Sequence, residues 1–400
     1  MRRKNWITRA AVVGLAAVGG IVMAFTTEGC ATTGTASKDA RLARIEQSPN
    51  WDGKQFNPPL PEEPIPFWST LGDWIKGADN TTPSEPIAVV ERSKEELEQA
   101  PPGGLRITWF GHSSTLVEID GHRILFDPVW GERVSPLKHI GPKRFHPVPM
   151  ALDDLPSLDA VVISHDHYDH LDEPTIVALA ERGERFFVPL GVGAHLEGWG
   201  VPAERIVELD WWEQVQVGEL RMVATPGRHF SGRSVVMADR NKTLWAGWAL
   251  VGPEHRVYYS GDTAMFPGFA EIGERLGPFD VTMIEIGAYN AAWRDVHIGP
   301  EQAIEAHKML RGKLLLPVHW GTFDLALHSW VEPAERVLVA AREGGVDVAL
   351  PRPGESVDPS APVTLTRWWP ELPWQTAEDH PVVSSALEPA PGVTLGEVAR

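Results

Sequence analysis

The sequence predicts an α/β fold in which two mixed β-sheets pack face to face, with helices on their outer surfaces. Three observations carry that prediction. Short apolar runs separated by turn residues open the body as a β-meander. Later apolar runs alternate with helical segments, the pattern that lays helices against a sheet. A chain with 43% hydrophobic and 22% charged residues also has the balance of a protein with a sizeable core.

The meander is predicted over Leu105–Phe110, Thr115–Ile119 and Arg123–Phe126, with Asp120-Gly121 as a turn. Asp159–Ser164 follows as a buried strand that runs straight into a histidine-rich segment. A helix is expected over Pro174–Arg182 and a strand over Phe186–Pro189. Further strands are predicted at Ile206–Leu209, Leu220–Ala224, Thr243–Val251, Arg256–Ser260, Val281–Glu285 and Leu314–Val318. Helices over Pro300–Leu310 and Glu332–Glu343 complete the pattern, and Gly299-Pro300 supplies the proline favoured at a first helical position. The body therefore covers residues 102–358, within reach of one large domain. Residues 31–101, rich in Pro, Thr, Ser, Asn and charge, read as a tether and an irregular arm lying against the body. Residues 359–400 read as a proline-rich tail pinned by Trp368-Trp369-Pro370.

Residues 1–30 read as a targeting segment. Arg2, Arg3, Lys4 and Arg9 form a basic start, and the sixteen residues Ala10–Phe25 are apolar, a length between a signal core and a full membrane span. Thr27-Glu28-Gly29-Cys30-Ala31 resembles the end of a bacterial lipoprotein signal, with Thr27 and Glu28 standing where an aliphatic and a small residue are usual. Lipidation at Cys30, an uncleaved anchor and plain secretion are all open. Each places the body outside the cytoplasm, and the first two attach it to a membrane surface at the cell envelope. Cys30 is the only cysteine, so no intramolecular disulfide framework forms. A net charge of −18 argues against nucleic acid as a partner, because phosphate backbones attract basic surfaces. It leaves room for a phosphodiester at a local cationic site.

The chemistry concentrates in His165-Asp166-His167-Tyr168-Asp169-His170, directly after a strand. One histidine there would fit a solvated polar loop; three imidazoles and a nearby carboxylate in six residues suit Zn²⁺ or another divalent transition metal. One such loop cannot complete two tetrahedral sites, so further ligands are expected at other strand ends. His229 follows Leu220–Ala224, Asp262 follows Arg256–Ser260 behind Gly261, and His319 follows Leu314–Val318. Gly261 is expected to let the backbone approach closely. Asp166 is not needed as a ligand, and a supporting or solvated position is expected for it.

These residues identify a resemblance to the metallo-β-lactamase fold superfamily, an αβ/βα sandwich of two mixed β-sheets with outer helices. The resemblance implies one zinc held by His165, His167 and His229, a second held by Asp169, His170 and His319, and Asp262 bridging them. It also implies a hydroxide shared by the two metals as the hydrolytic nucleophile. Asp262, Asp169 and His297 are then the candidate catalytic residues. His112 and Asp127 are expected to brace the metal ligands rather than react.

Within the superfamily, several segments resemble N-acylphosphatidylethanolamine-hydrolysing phospholipase D and its bacterial relatives. They are Trp109-Phe110-Gly111-His112-Ser113, Leu125-Phe126-Asp127-Pro128, Gly141-Pro142-Lys143-Arg144-Phe145, Val296-His297-Ile298-Gly299-Pro300-Glu301 and Val318-His319-Trp320-Gly321-Thr322-Phe323. The resemblance implies a phospholipid or related phosphodiester substrate, with Tyr168 and His297 touching its phosphate. Lys143 and Arg144 are candidates for opposing the phosphate charge, although a solvated basic turn accounts for them equally. Two other readings stand beside it: hydrolysis of a lactone, amide or other ester at the same centre, and a non-catalytic metal-binding envelope lipoprotein. Family members can be dimers, but no homodimer interface is legible in the sequence.

Overall fold

The computed structural model describes residues 33–387 apart from Lys138, Val235, Val363 and Thr364. The basic start, the apolar run Ala10–Phe25 and Cys30 lie outside the described residues. Among those described, no helix is long and apolar enough to cross a membrane.

The strands are β1 (Leu105–Gly111), β2 (Ser114–Ile119), β3 (His122–Phe126), β4 (Ala160–Val162), β5 (Phe186–Pro189), β6 (Ile206–Leu209), β7 (Gln214–Val217), β8 (Leu220–Thr225), β9 (Gly247–Val251), β10 (Arg256–Tyr259), β11 (Phe279–Glu285), β12 (Gly312–Val318), β13 (Asp347–Val348) and β14 (Ser356–Val357). The helices are α1 (Asp39–Glu46), α2 (Phe67–Lys76), α3 (Lys94–Glu98), α4 (Glu173–Glu181), α5 (Gly193–Gly198), α6 (Gly268–Leu276), α7 (Pro300–Met309) and α8 (Glu332–Gly344). They build two seven-stranded sheets, ordered β14-β1-β2-β3-β4-β5-β6 and β13-β12-β11-β10-β9-β8-β7. Each sheet is antiparallel through its meander and parallel from β3 to β6 or from β10 to β13. The predicted sandwich of two mixed sheets with outer helices is the observed fold.

Side-chain alternation explains the layers. Ile107, Trp109, Ile124, Phe126 and Val162 point into a core shared with Met222, Trp248, Val257 and Tyr259 of the other sheet. Their neighbours Phe110, Leu125, Val161 and Ile163 point the opposite way, against Ile176 and Leu179 of α4 and Leu196 of α5. On the second sheet, α6, α7 and α8 contribute Phe269, Ile304 and Val337 to the large core. Each fully buried Leu, Ile, Val or Phe stabilises the fold by about 1.5–3 kcal/mol relative to exposure.

Several boundaries differ from expectation. The strand expected over Asp159–Ser164 narrows to β4, because the Ser164 N–H leaves the ladder for Asp127 Oδ1 at 2.7 Å. Thr243–Val251 shortens to β9, since Leu244 and Ala246 donate instead to Leu190 O and Ser164 O. The helix α6 and the short strand β7 were not expected. The arm is not irregular throughout: it contains α1, α2 and α3. Arg41 of α1 pairs with Glu197 and Glu208, and Ile45 is buried with Phe56, Leu190 and Trp245. α3 begins with a reciprocal cap between Ser93 and Glu96, a signal that the spacing Ser-x-x-Glu already carried. In the tail, Trp369 donates to Glu335 Oε1 at 2.7 Å, and both tryptophans pack against Trp320.

Candidate metal centre

The C-terminal ends of the central strands meet at one edge of the sandwich, and the predicted ligands arrive there together. Their backbone is bent sharply at the exits: His112, Asp127 and His319 have φ of 52°, 36° and 63°. Side chains rarely adopt such values unless the surroundings enforce them. The His319 N–H donates to His112 O at 3.0 Å, tying the exits of β12 and β1. Gly261 has φ +58°, and a Cβ there would lie 2.7 Å from Ser164 Cβ, so the expected close approach is real.

His165, His167, His229 and Asp262 form one group whose potential ligand atoms lie within 4.8 Å of one another. His165 Nε2 and His167 Nδ1 are 2.8 Å apart, and His229 Nε2 lies 3.2 Å from His167 Nδ1. Burial holds His165 and His229 well below the ordinary imidazole range and lowers His167 as well. These rings therefore stay neutral and keep lone pairs. His229 donates Nδ1–H to Val296 O at 3.0 Å, which leaves its Nε2 facing the group.

His112, Asp169, His170 and His319 form the adjoining group. Asp262 stands between the two: its Oδ1 lies 3.1 Å from His170 Nε2, and its Oδ2 lies 3.7 Å from His165 Nε2 and 3.8 Å from His229 Nε2. His319 Nε2 lies 3.1 Å from Asp262 Oδ2 and 3.2 Å from Asp169 Oδ2. Burial opposes protonation of His319, but the Asp262 and Asp169 carboxylates outweigh it and push it up to about 10. The same contest, with Asp127 added, raises His170. This group calls for positive charge.

The donor set fits divalent transition-metal ions. It is nitrogen and carboxylate oxygen throughout, as such ions require. His170 Nε2 and Asp262 Oδ1 are buried and face each other without making a hydrogen bond, as ligand atoms would. Asp127 braces the centre: Oδ2 receives His170 Nδ1 at 2.6 Å and the Tyr259 hydroxyl at 2.5 Å. His112 does more than expected, since its Nε2 sits 2.9 Å from Asp169 Oδ2, inside the second group. Asp166 is buried and accepts from Gly232 N and Thr243 Oγ1, each at 2.8 Å, so it supports the loop rather than facing solvent.

Glu285 was not singled out from sequence. It is fully buried at the end of β11, where it accepts from Thr263 N at 2.6 Å and from His297 Nδ1 at 2.8 Å. The strand-exit rule that selected Asp262 selects Glu285 too. His297 thus stands beside the centre, partly exposed, with Nδ1 engaged and Nε2 facing away from Glu285.

The remaining candidates are placed differently. The Tyr168 hydroxyl donates to Arg233 O at 2.8 Å, under the Arg233 guanidinium 4.0 Å from its ring. A hydroxyl has one proton, so in this position it has none for a phosphate. Lys143 pairs with Glu132 at 2.8 Å on the surface. Arg144 is buried; it donates to Val129 O and lies 5.1 Å over the Phe323 ring. Burial lowers its pKa to about 10, so it remains charged and holds the loop after β3 instead of joining the cluster. Phosphate charge is therefore not met by either cation in this conformation.

Two seven-stranded sheets with a histidine–aspartate centre at their strand exits define a metal-dependent hydrolase of the metallo-β-lactamase fold. Residues 122–320 match the family described as the beta-lactamase superfamily domain. An uncharacterized protein of Mycobacterium tuberculosis is 53% identical over 290 residues, covering 72% of this chain and 77% of that protein. N-acyl-phosphatidylethanolamine-hydrolyzing phospholipase D 1 of Caenorhabditis elegans is 38% identical over 262 residues, 62% of this chain and 73% of that one. Among solved structures, a metallo hydrolase from the archaeon Ignicoccus hospitalis is 26% identical with a TM-score of 0.50, covering 63% of this chain and 97% of that one. The chain belongs to the beta-lactamase superfamily, with an N-acylphosphatidylethanolamine-hydrolysing phospholipase D among its relatives.

Proposed function

We propose that this hydrolase is a dinuclear zinc enzyme of the phospholipase D type, cleaving a phosphodiester in N-acylphosphatidylethanolamine-like phospholipids. The observation that carries the dinuclear part is Asp262, whose two oxygens are shared between two neighbouring groups of donors. The 38% identity to the nematode phospholipase supports the substrate class. His165, His167 and His229 would hold one ion, and Asp169, His170 and His319 the other. Bound there, the two ions would bring a water's pKa toward about 7 and offset charge on the non-bridging oxygens. His229 is aimed by Val296 O and His170 by Asp127. His297, oriented by Glu285, is the residue of this chain suited to give a proton to the leaving alkoxide through Nε2.

One observation favours the second reading, hydrolysis of a lactone, amide or other ester: Lys143 and Arg144 are engaged elsewhere. Metal analysis with a substrate panel separates the readings. We expect two zinc or equivalent ions per chain, and turnover of N-acylphosphatidylethanolamine and bis-p-nitrophenyl phosphate. Activity on a homoserine lactone or β-lactam alone would overturn the phospholipase reading, and far fewer than two ions would overturn the dinuclear one. The same proposal puts the chain at the cell envelope, held by Cys30 lipidation or by an uncleaved apolar run. Loss of membrane retention in Cys30→Ser would favour lipidation, and unchanged retention the anchor.

A further inference from the structure

A cleft of about 830 Å³ lies beside the metal centre, a size within the range of small-ligand sites. Four parts of the chain wall it: the end of α2 with the residues up to Asn80, the turn from Tyr289 to Ala291, the tail from Pro373 to Gln375, and the segment leading into α8. In that last segment, His328 lines this cleft and also the narrow one next to it, which His112 and His319 line. Ser329 faces the larger cleft and Trp330 the narrow one. Each of these three consecutive residues has a buried polar atom without a hydrogen-bond partner among the described residues: His328 Nε2, Ser329 Oγ and Trp330 Nε1. Ser329 is only 6% exposed and Trp330 4%. Buried polar groups in folded proteins are normally satisfied, so three in succession ask for a ligand group.

The sense of these atoms restricts that group. His328 Nδ1 donates to Ser329 O at 3.0 Å, and burial lowers the pKa of the ring. The imidazole is therefore neutral, and its Nε2 presents a lone pair. Trp330 Nε1 can only donate, whereas Ser329 Oγ can do either. A bare anion has no proton for His328, and an ammonium has no lone pair for the indole. A hydroxyl has both. The charges agree. Lys76 pairs with Asp73 at 3.0 Å, and Arg336 is held by Glu301 at 2.7 Å and Glu332 at 3.6 Å. Glu332 also accepts from the Tyr289 hydroxyl at 2.8 Å and from Gln375 N at 3.0 Å. Asp79 stands outside these pairs and is exposed. The cleft is thus close to neutral inside. Its Tyr289 ring stacks on His328 at 4.5 Å, and half-buried Trp374 adds a second aromatic wall, a surface suited to the C–H face of a ring.

We propose that this cleft binds a neutral polyhydroxylated molecule, a sugar ring or polyol, whose hydroxyls meet the run His328-Ser329-Trp330. The site lies outside the metal ligands and is tested by binding alone, so its failure leaves the phospholipid reading untouched, and the reverse also holds. Isothermal titration calorimetry on the full-length chain uses myo-inositol, methyl α-glucoside and glycerophosphoinositol, with inorganic phosphate and ethanolamine as ionic probes. At least one polyol should bind. His328→Phe and Ser329→Ala should each weaken it about tenfold, the scale of one lost hydrogen bond to a buried partner. His328→Gln, which returns an acceptor, should recover most of that loss. Trp374→Leu should also weaken binding; it alters the tail and not the core, so it keeps the test open if the buried variants unfold. Thermal unfolding and metal content check each preparation. Glycerophosphoinositol binding about tenfold tighter than myo-inositol would assign the ligand to a substrate headgroup, and equal affinities to a free polyol. No polyol binding at concentrations that reveal a millimolar Kd would overturn the proposal and leave these atoms to water. Binding of phosphate or ethanolamine alone, or polyol binding unchanged in all the variants, would overturn it as well.

Discussion

At the end of β11, Glu285 carries a buried carboxylate with two tasks: it accepts from the Thr263 backbone and it orients His297. Burial raises its pKa, with the His297 ring opposing that shift. Replacement by glutamine keeps the volume but puts an amide group, half donor, where both neighbours donate. Glu285→Gln should lower kcat by about 10- to 100-fold, the usual cost of losing a partner that aims a site histidine. Circular dichroism and thermal unfolding should show an intact fold; unchanged kcat would remove Glu285 from the machinery. Tyr168 is the reverse case. The family resemblance made it a candidate for touching the substrate phosphate, but its proton points to Arg233 O. Nothing local in the sequence reveals that partner, because Arg233 is 65 residues away.

At the scale of elements, one carboxylate in the turn from Asn290 to His297 ties three parts of the chain together. Asp295 pairs with Arg228 at 2.9 Å, accepts from Glu63 N of the arm at 3.0 Å, and accepts from Ser385 N and Oγ of the tail at 2.9 and 2.7 Å. The arm, the β8 exit and the tail are thereby tied two residues from His297. Asp295→Ala should cost about 3–5 kcal/mol, because it strips a buried guanidinium of its carboxylate. Urea unfolding measures that loss, and faster proteolysis of arm and tail should accompany it. Stability within 1 kcal/mol of wild type would show, on the usual scale of surface pairs, that the tie is dispensable. The meander and the helices α4, α7 and α8 were legible because their apolar spacing is local. α1 was not, since it is fastened by Glu197, Glu208 and Glu213, far along the chain.

The whole molecule carries buried neutral histidines away from the ligands, and they set its behaviour in acid. Burial lowers His146 to about 3 and His307 to about 4. His307 also exchanges a hydrogen bond with Thr282 Oγ1 at 2.7 Å. An unfolded chain takes up these protons near the ordinary imidazole value of about 6.5. Below that, the unfolded state binds more protons than the folded one, so stability falls as pH drops toward each folded value. For His307 the window runs from about 6.5 down to about 4, worth roughly 3 kcal/mol in all. Denaturant unfolding at pH 7 and pH 4.5 should therefore show a smaller acid loss in His307→Gln than in wild type; equal losses would sink the assignment.

By itself the sequence determined the fold class and the strand-exit placement of His165, His167, Asp169, His170, His229, Asp262 and His319. Those features follow from local rules: apolar period, turn residues, and polar groups directly after buried strands. Only the tertiary structure decided what the side chains do with one another. It set Asp262 against both donor groups, brought His112 onto Asp169, and turned Arg144 into the loop after β3. The reason is that hydrogen bonds and ion pairs across such distances depend on where whole elements pack, and packing is fixed by the sum of the core rather than by any one stretch of chain.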